Sequence, residues 1–137
     1  MRKAGSEDGF TLVELLVVLV ILALLAGIVG PKVIGYLGDS RIKTARIQMA
    51  SYRTALELFH LDIGRFPKTG EGLKALAIKP FGLDGWRGPY LDKPVSADPW
   101  GHAYVYASPG SKAEYEILSL GRDGRQGGEG EDADILP

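Results

Sequence analysis

The residues best suited to chemistry lie in a glycine-rich segment near the C-terminus, residues 121–134, hereafter the acidic loop. It carries the acidic side chains of Asp123, Glu129, Glu131, Asp132 and Asp134. Glycines between them let the backbone curl so that carbonyl and carboxylate oxygens converge. Because Ca²⁺ takes about six to eight oxygen ligands, the composition is compatible with a calcium loop. A disordered acidic tail fits the spacing at least as well, since the acids do not follow the EF-hand pattern.

Another acid, Glu14, stands in an apolar run that begins at Phe10 and reaches Gly30. A helix of roughly 20 apolar residues spans a bilayer core. A carboxylate inside such a helix costs about 2.5–3.5 kcal/mol on insertion scales and is therefore usually functional. The alternative is a simple single-pass anchor in which Glu14 lies near the membrane interface.

The N-terminus has a short basic start, Met1-Arg2-Lys3, which predicts a cytoplasmic N-terminus. The apolar run is longer than the roughly 7–15 residues of a secretory signal peptide. A cut between Gly9 and Phe10 would remove only the hydrophilic leader and leave the helix attached.

The residues around this point carry a family resemblance. Gly9 followed by F-T-L-V-E resembles the prepilin signature of type IV pilins and of type II secretion pseudopilins. The resemblance implies that a membrane prepilin peptidase cuts after Gly9 and methylates the new N-terminal Phe10. Glu14 would then pair with the α-amino group of a neighbouring subunit and align incoming subunits, because a buried charge needs a counter-ion.

The elements that must position these residues begin with a long helix. Beyond Gly38, Asp39 or Ser40 is predicted to be the N-cap of an amphipathic helix. Gly64, followed by Pro67, predicts its end. Pro31 predicts either a simple kink or a stretch that melts on assembly, and the sequence leaves both open. The apolar face consists of Ile42, Ala45, Met49, Tyr52, Leu56, Phe59 and Ile63.

The rest of the chain predicts a small sheet. Residues 69–77 read as a short helix with Leu73 and Leu76 inward, and residues 102–107 and 114–120 alternate as strands. This order gives an α+β fold of the type IV pilin kind, a long helix packed on a small antiparallel sheet. The predicted divisions are a leader at 1–9, a transmembrane helix at 10–30, its amphipathic continuation at 31–63, and a globular region at 64–137.

The composition and the residue types of the chain argue against two classes of function, nucleic-acid binding and catalysis. The chain has 137 residues, a net charge of −1 and no cysteine, so it lacks a polycationic nucleic-acid footprint and cannot form a disulfide. An enzyme needs a nucleophile or an acid–base pair. His60 and His102 have no partner visible in the sequence, and the Asp98-Pro99-Trp100 turn is attributed to packing. We therefore expect a protein that is not an enzyme.

Motifs in the second half make the resemblance more specific. T-G-E-G-L-K-A-L, G-P-Y-L, D-P-W-G, S-L-G-x-D-G and D-A-D-I occur in the same order as in the major pseudopilin family of the type II secretion system. The resemblance implies a structural Ca²⁺ in the acidic loop. The ligands it implies are the carbonyls of Leu120 and Glu129 and the side chains of Asp123, Asp132 and Asp134.

The resemblance also implies a function. The chain is expected to be a single-pass protein of the bacterial inner membrane with a periplasmic globular domain. It would polymerise with itself into a periplasmic pseudopilus that drives export of folded proteins across the outer membrane. Implied partners are minor pseudopilins, the prepilin peptidase and the inner-membrane assembly platform. The alternative is the major subunit of a type IV pilus.

Overall fold

A computed structural model describes residues 9–137, apart from the side chains of residues 30–34. The chain divides into two units, Met1–Leu37 and Gly38–Pro137. One long helix, α1 (Leu12–Ile63), contributes residues to both. Of the predicted leader at residues 1–9, only Gly9 lies within the described residues. The predicted division into a transmembrane helix, an amphipathic continuation and a globular region stays a prediction.

The first unit contains the apolar part of α1. Leu12–Val29 is a segment of 18 residues that is long and apolar enough to cross a membrane, judged by length and composition. Its large side chains are exposed, for example Leu12 at 87% and Ile28 at 68%. Exposing apolar surface to water is unfavourable by about 25 cal/mol per Å². This surface therefore favours hydrocarbon or other apolar helices as its surroundings.

The predicted N-cap at Asp39 or Ser40 is wrong, because α1 continues through both residues. An N-cap residue has a non-helical backbone, which neither residue has. The Ser40 carbonyl instead accepts a hydrogen bond from Thr44 Oγ1 at 2.9 Å, within the helix. The helix also continues through residue 31, so the glycines and proline in this stretch do not end it.

In the second unit, the predicted apolar face of α1 forms the core. Ala45, Met49, Leu56 and Phe59 are completely buried, and Tyr52 is nearly so. The helix ends as predicted at Ile63, where Gly64 has φ 78° and donates its N–H to the His60 carbonyl at 2.7 Å. Only glycine adopts this left-handed conformation without strain, which explains why the helix stops here.

The predicted short helix is a 3₁₀-helix, Leu73–Leu76, and both leucines point inward as expected. The sheet has two antiparallel strands, β1 (Val105–Ala107) and β2 (Glu116–Leu118), with Tyr106 opposite Ile117. Both strands are shorter than predicted. At the start of the first predicted strand, the His102 N–H bonds to the Asp98 side chain and so belongs to a turn.

A second pairing extends the sheet toward the C-terminus. Ser119 and Ile135 form an antiparallel bridge, with N···O distances of 3.0 and 2.8 Å in the two directions. Ile135 is 4% exposed and joins the core. The acidic loop therefore starts and ends beside this bridge, which fixes both of its ends. The long helix and the small antiparallel sheet confirm the predicted α+β arrangement.

Candidate functional site

The base of the acidic loop is a buried carboxylate, Asp98, which is 5% exposed. Its Oδ1 accepts hydrogen bonds from the backbone N–H groups of Trp100 at 3.0 Å and His102 at 2.8 Å. Its Oδ2 accepts the Ser119 hydroxyl at 2.5 Å. The prediction that this turn serves only packing missed the carboxylate. The signal was present, because an Asp that opens a Pro-containing turn commonly caps backbone N–H groups two residues on.

Ser119 and His102 continue this network into the acidic loop. The Ser119 Oγ accepts the N–H of Gly121 at 3.2 Å. His102 Nδ1 lies 3.0 Å from the Gly121 carbonyl. Since a carbonyl can only accept, the Nδ1 atom of His102 carries the proton. The imidazole also covers Gly124, where a Cβ atom would lie 3.1 Å from the ring.

The two arms of the acidic loop are the backbone near its start and the backbone near its end. Backbone atoms pack closely against glycines in these arms. A Cβ at Gly121 would lie 2.6 Å from the Glu131 carbonyl oxygen, and a Cβ at Gly128 would lie 2.3 Å from the Asp132 carbonyl oxygen. Both glycines have a positive φ, 66° and 91°. The Arg122 N–H also donates to the Glu131 carbonyl at 2.8 Å. Side chains on the two arms are thereby held within reach of each other.

Arg122 and Asp132 form the ion pair that joins the arms. Arg122 Nε and Nη2 each donate to one oxygen of the Asp132 carboxylate, both at 2.8 Å. This double hydrogen bond lowers the pKa of the Asp132 carboxyl. The pair is accessible to solvent, with 56% of the Arg122 side chain and 32% of the Asp132 side chain exposed. In this structure Asp132, a predicted calcium ligand, is thus neutralised by a residue of the chain itself.

The other two predicted carboxylate ligands bind backbone N–H groups of the loop. Asp123 Oδ1 accepts from Arg125 N at 3.0 Å, and Asp134 Oδ2 accepts from Gly127 N at 3.0 Å. Among the described residues, Asp134 Oδ1 is the buried side-chain oxygen without a hydrogen-bond partner. A cation would satisfy such an oxygen, so this atom fits a metal site.

The described residues do not gather three acidic or histidine side chains into one metal-binding group. The two predicted carbonyl ligands lie in different places, Leu120 just before the acidic loop and Glu129 within it. Leu120 lies between Ser119 and Gly121, both of which are fixed by the Asp98 network. The Glu129 carbonyl accepts the Asp132 N–H at 3.1 Å at the start of the 3₁₀-helix Gly130–Asp132.

Glu131 connects the acidic loop to the part of α1 that lies in the same unit. Its Oε2 accepts the Trp100 indole N–H at 3.1 Å and lies 3.8 Å from Arg41 Nη1. The side chain also passes so close to Gly38 that a Cβ there would lie 2.6 Å from Glu131 Oε1. The sequence carries no signal for this contact, which depends on the fold.

The start of α1 contains the residues predicted for processing and assembly. Gly9 and Phe10 precede the helix and are exposed. Glu14 Oε2 accepts the Thr11 N–H at 2.9 Å, and the Glu14 N–H donates to Thr11 Oγ1 at 3.2 Å. This reciprocal pair is a capping box, in which two otherwise unpaired N–H groups of the first turn are satisfied. The T-x-x-E spacing in the sequence was the signal for it.

The chain's similarity to known families agrees with these features. The prokaryotic N-terminal methylation motif matches residues 6–30, which include the start of α1. The family described as Type II secretion system (T2SS), protein G matches residues 32–137. The chain belongs to the protein G family of the type II secretion system.

Individual relatives support the same family. The chain is 39% identical to the type II secretion system core protein G of Pseudomonas aeruginosa, covering 95% of this chain and 94% of the relative. The Vibrio cholerae protein of the same name is 40% identical, over 98% and 94%. A crystal structure of the major pseudopilin of enterohaemorrhagic Escherichia coli superposes with a TM-score of 0.63 and 28% identity, covering 74% of this chain and 90% of that one. The secretion interpretation is confirmed, and the type IV pilus alternative gains no support.

Proposed function

We propose that this chain is a non-catalytic filament subunit, the major pseudopilin of a type II secretion system. It polymerises with itself into a periplasmic pseudopilus whose growth drives folded proteins across the outer membrane. The observation that carries the proposal is the family match over residues 32–137, joined to an N-terminal methylation motif. Deleting the gene from a secreting strain should retain the exoproteins in the periplasm, and normal secretion would contradict the proposal.

The histidines support a structural protein. The His60 ring packs edge-on against Phe66 with centroids 4.5 Å apart, and His102 hydrogen-bonds a backbone carbonyl. Both imidazoles therefore have packing or positioning contacts. Contacts of this kind do not by themselves provide acid–base catalysis, which needs a substrate group within hydrogen-bond reach of the imidazole.

For its location, we propose that Leu12–Val29 spans the inner membrane once and that the second unit lies in the periplasm. The exposed apolar surface of this segment supports the proposal. In addition to its own copies, the partners are minor pseudopilins, the prepilin peptidase and the inner-membrane assembly platform. Protease added to spheroplasts should digest the second unit, whereas resistance in intact spheroplasts would contradict the orientation.

The prepilin peptidase is proposed to cut after Gly9 and to methylate Phe10. Gly9 and Phe10 are exposed and lie outside the helix, which supports their access to a peptidase. A Cβ at Gly9 would meet open space, so Gly9→Leu should leave the fold intact. Mass spectrometry of the purified protein should find N-methylphenylalanine in the parent and the uncut leader in the variant. A leader-free Gly9→Leu chain would refute the site.

Glu14 is proposed to recruit and align subunits by pairing with the α-amino group of Phe10 on a neighbour. Removing one partner of a buried ion pair is unfavourable by about 3–5 kcal/mol, because the other charge is stranded. Glu14→Ala should therefore insert into the membrane normally but form no filaments. Thr11→Ala, which removes the capping hydroxyl and keeps the carboxylate, is the matched control and should still assemble.

In the acidic loop we propose a structural Ca²⁺, held by the carboxylates of Asp123, Asp132 and Asp134 and the carbonyls of Leu120 and Glu129. The unpaired, buried Oδ1 of Asp134 supports the site. Bound calcium would neutralise the carboxylates and tie the two arms together, which is a way to stabilise a chain without cysteines.

A ligand that binds only the folded state stabilises it by mass action, by about 2.7 kcal/mol at 100 times its Kd. The unfolding temperature of the full chain in detergent should therefore rise in millimolar calcium relative to chelator. Asp123→Ala should remove that rise, whereas Asp92→Ala, an exposed acid outside the loop, should keep it. An equal response in the parent and Asp123→Ala would overturn the ligand assignment.

A further inference from the structure

We propose that Arg122 competes with calcium for the Asp132 carboxylate and thereby sets the calcium affinity of the acidic loop. Arg122 is not a ligand in this scheme. It is a positioning residue that holds one ligand in the metal-free state and releases it in the bound state. The inference rests on the proposed calcium site and adds to it a determinant of affinity.

The geometry of the pair supports competition. The guanidinium binds both oxygens of Asp132 at 2.8 Å, so neither oxygen is left without a positive partner. Ca²⁺ coordination at about 2.3–2.6 Å would require at least one of these oxygens. A guanidinium and a metal cannot occupy the same side of one carboxylate at these distances. Metal binding on that side of the Asp132 carboxylate therefore requires Arg122 to withdraw.

The backbone keeps the competitor in place. The Arg122 N–H donates to the Glu131 carbonyl at 2.8 Å, one residue before Asp132. Gly128 packs closely against the carbonyl group of Asp132 and so restricts the movement of Asp132. Arg122 therefore does not need to search for its partner, and the ion pair forms at little entropic cost.

Exposure makes the pair exchangeable. With 56% of the Arg122 side chain in solvent, the guanidinium can move into water when calcium arrives. Exposed ion pairs are weak, so their loss changes an equilibrium about two- to fivefold. The expected effect of Arg122 is thus a tuning of affinity and not an on–off switch.

The test compares calcium binding by the full chain in detergent micelles, measured by calorimetric titration with CaCl₂. Arg122→Gln keeps a hydrogen-bonding side chain but removes the charge, and its Kd should be about two- to fivefold lower than that of the parent. In the Asp132→Asn background the same substitution should have no effect, because the competed carboxylate is gone. High salt, which screens exposed pairs, should bring the parent closer to Arg122→Gln.

Arg125→Gln is the matched control. This substitution removes the same charge from the same loop. Within residues 9–137 the Arg125 side chain takes part in no described ion pair. Its Kd for calcium should change by less than about twofold, since the substitution alters only the long-range electrostatic interaction with the ion. A second readout is the NMR signal of the Arg122 Nε–H, which should be protected from exchange without calcium and lose protection when calcium is added.

The outcomes separate the two proposals. Tighter binding in Arg122→Gln than in Arg125→Gln, together with loss of Nε–H protection on adding calcium, supports competition. Equal affinities in the parent and both arginine variants overturn the inference and leave the calcium site standing. An effect of Arg122→Gln that persists in Asp132→Asn also overturns it. If Asp132→Asn binds no calcium, the comparison of the two arginine variants decides. No calcium binding by any variant rejects the site and the inference together.

Discussion

At the start of α1, the side chains of Thr11 and Glu14 each accept a hydrogen bond from the other residue's backbone N–H group. The Thr11 N–H and hydroxyl both donate to Glu14 Oε2, at 2.9 and 3.1 Å. The residue proposed to recognise a neighbouring subunit is therefore also a helix cap. The capping contacts use Oε2, so a neighbour's amino group would bind Oε1 or share Oε2 with Thr11.

The first prediction concerns this cap. Thr11→Val keeps the shape of the side chain but removes its hydroxyl, and should destabilise the first helical turn by about 1 kcal/mol. Amide hydrogen exchange of the full chain in detergent should be faster at residues 13–15 and unchanged in the middle of the helix. Thr11→Ser retains the hydroxyl and serves as control. Equal exchange in Thr11→Val and the parent would show that the capping box does not contribute.

Two neighbouring glycines provide a second prediction. Gly127 and Gly128 have nearly the same φ, 92° and 91°, but a Cβ at Gly127 would meet open space, whereas one at Gly128 would lie 2.3 Å from a backbone oxygen. Gly127→Ala should cost only the left-handed strain, about 1–2 kcal/mol. Gly128→Ala should be clearly more destabilising because backbone must move. Chemical unfolding of both variants provides the comparison, and equal stabilities would contradict the tight packing of the loop arms.

A third prediction concerns the buried carboxylate of Asp98. Asp98→Ala leaves the Ser119 hydroxyl and two backbone N–H groups without their acceptor. An unsatisfied buried polar group costs about 1–3 kcal/mol, so a loss of about 2–4 kcal/mol in unfolding free energy is expected. Asp92→Ala, at an exposed position, should lie within about 0.5 kcal/mol of the parent. A small loss in Asp98→Ala would mean that water replaces the network.

A fourth prediction concerns pH. Glu71 accepts hydrogen bonds from Arg65 at 2.7 and 2.8 Å, and this pairing lowers the pKa of Glu71 from its ordinary value. A lowered folded-state pKa means that the stabilisation is complete above the unfolded pKa and is lost as pH falls through the folded value. Because the pair is partly exposed, the contribution is about 1 kcal/mol.

The measurement is chemical unfolding at pH 7 and pH 3. Glu71→Gln should be less stable than the parent at pH 7 and nearly equal to it at pH 3. Glu114→Gln, at an exposed position, should follow the parent at both values. A constant difference between Glu71→Gln and the parent at the two pH values would refute the ion-pair explanation.

Sequence periodicity predicted the core of the second unit well. The spacing of Ala45, Met49, Leu56 and Phe59 places them on one helix face, and a face of this kind is buried whatever packs on it. The end of α1 was also readable, because Gly64 has a local conformational reason to stop the helix. The start predicted at Asp39 or Ser40 was wrong, since capping residues also occur inside helices that are continuous for other reasons.

The contacts of the acidic loop were not readable in this way. Composition indicated an oxygen-rich loop, but it could not indicate that Arg122 binds Asp132 or that Glu131 reaches Trp100. The bridge between Ser119 and Ile135 brings Arg122 and Asp132 close together, whereas Trp100 belongs to the Asp98 turn elsewhere in the chain. The carboxylate of Asp98 was hidden for the same reason, since its hydroxyl partner lies on another element.

The contact of Glu131 with Gly38 and Trp100 has a consequence for how the second unit is made. Its first residue, Gly38, touches a side chain from near the other end of the unit, so the contact closes a loop that includes most of the unit. Contacts of such long sequence separation form late, because the chain between them must first be ordered. A nascent chain that lacks residues 119–135 has neither Ser119, which bonds Asp98, nor Glu131, which contacts Trp100 and Gly38. We therefore expect a stalled or truncated chain to remain open and to be a substrate for proteases, so that degradation removes incomplete subunits before they reach a growing filament.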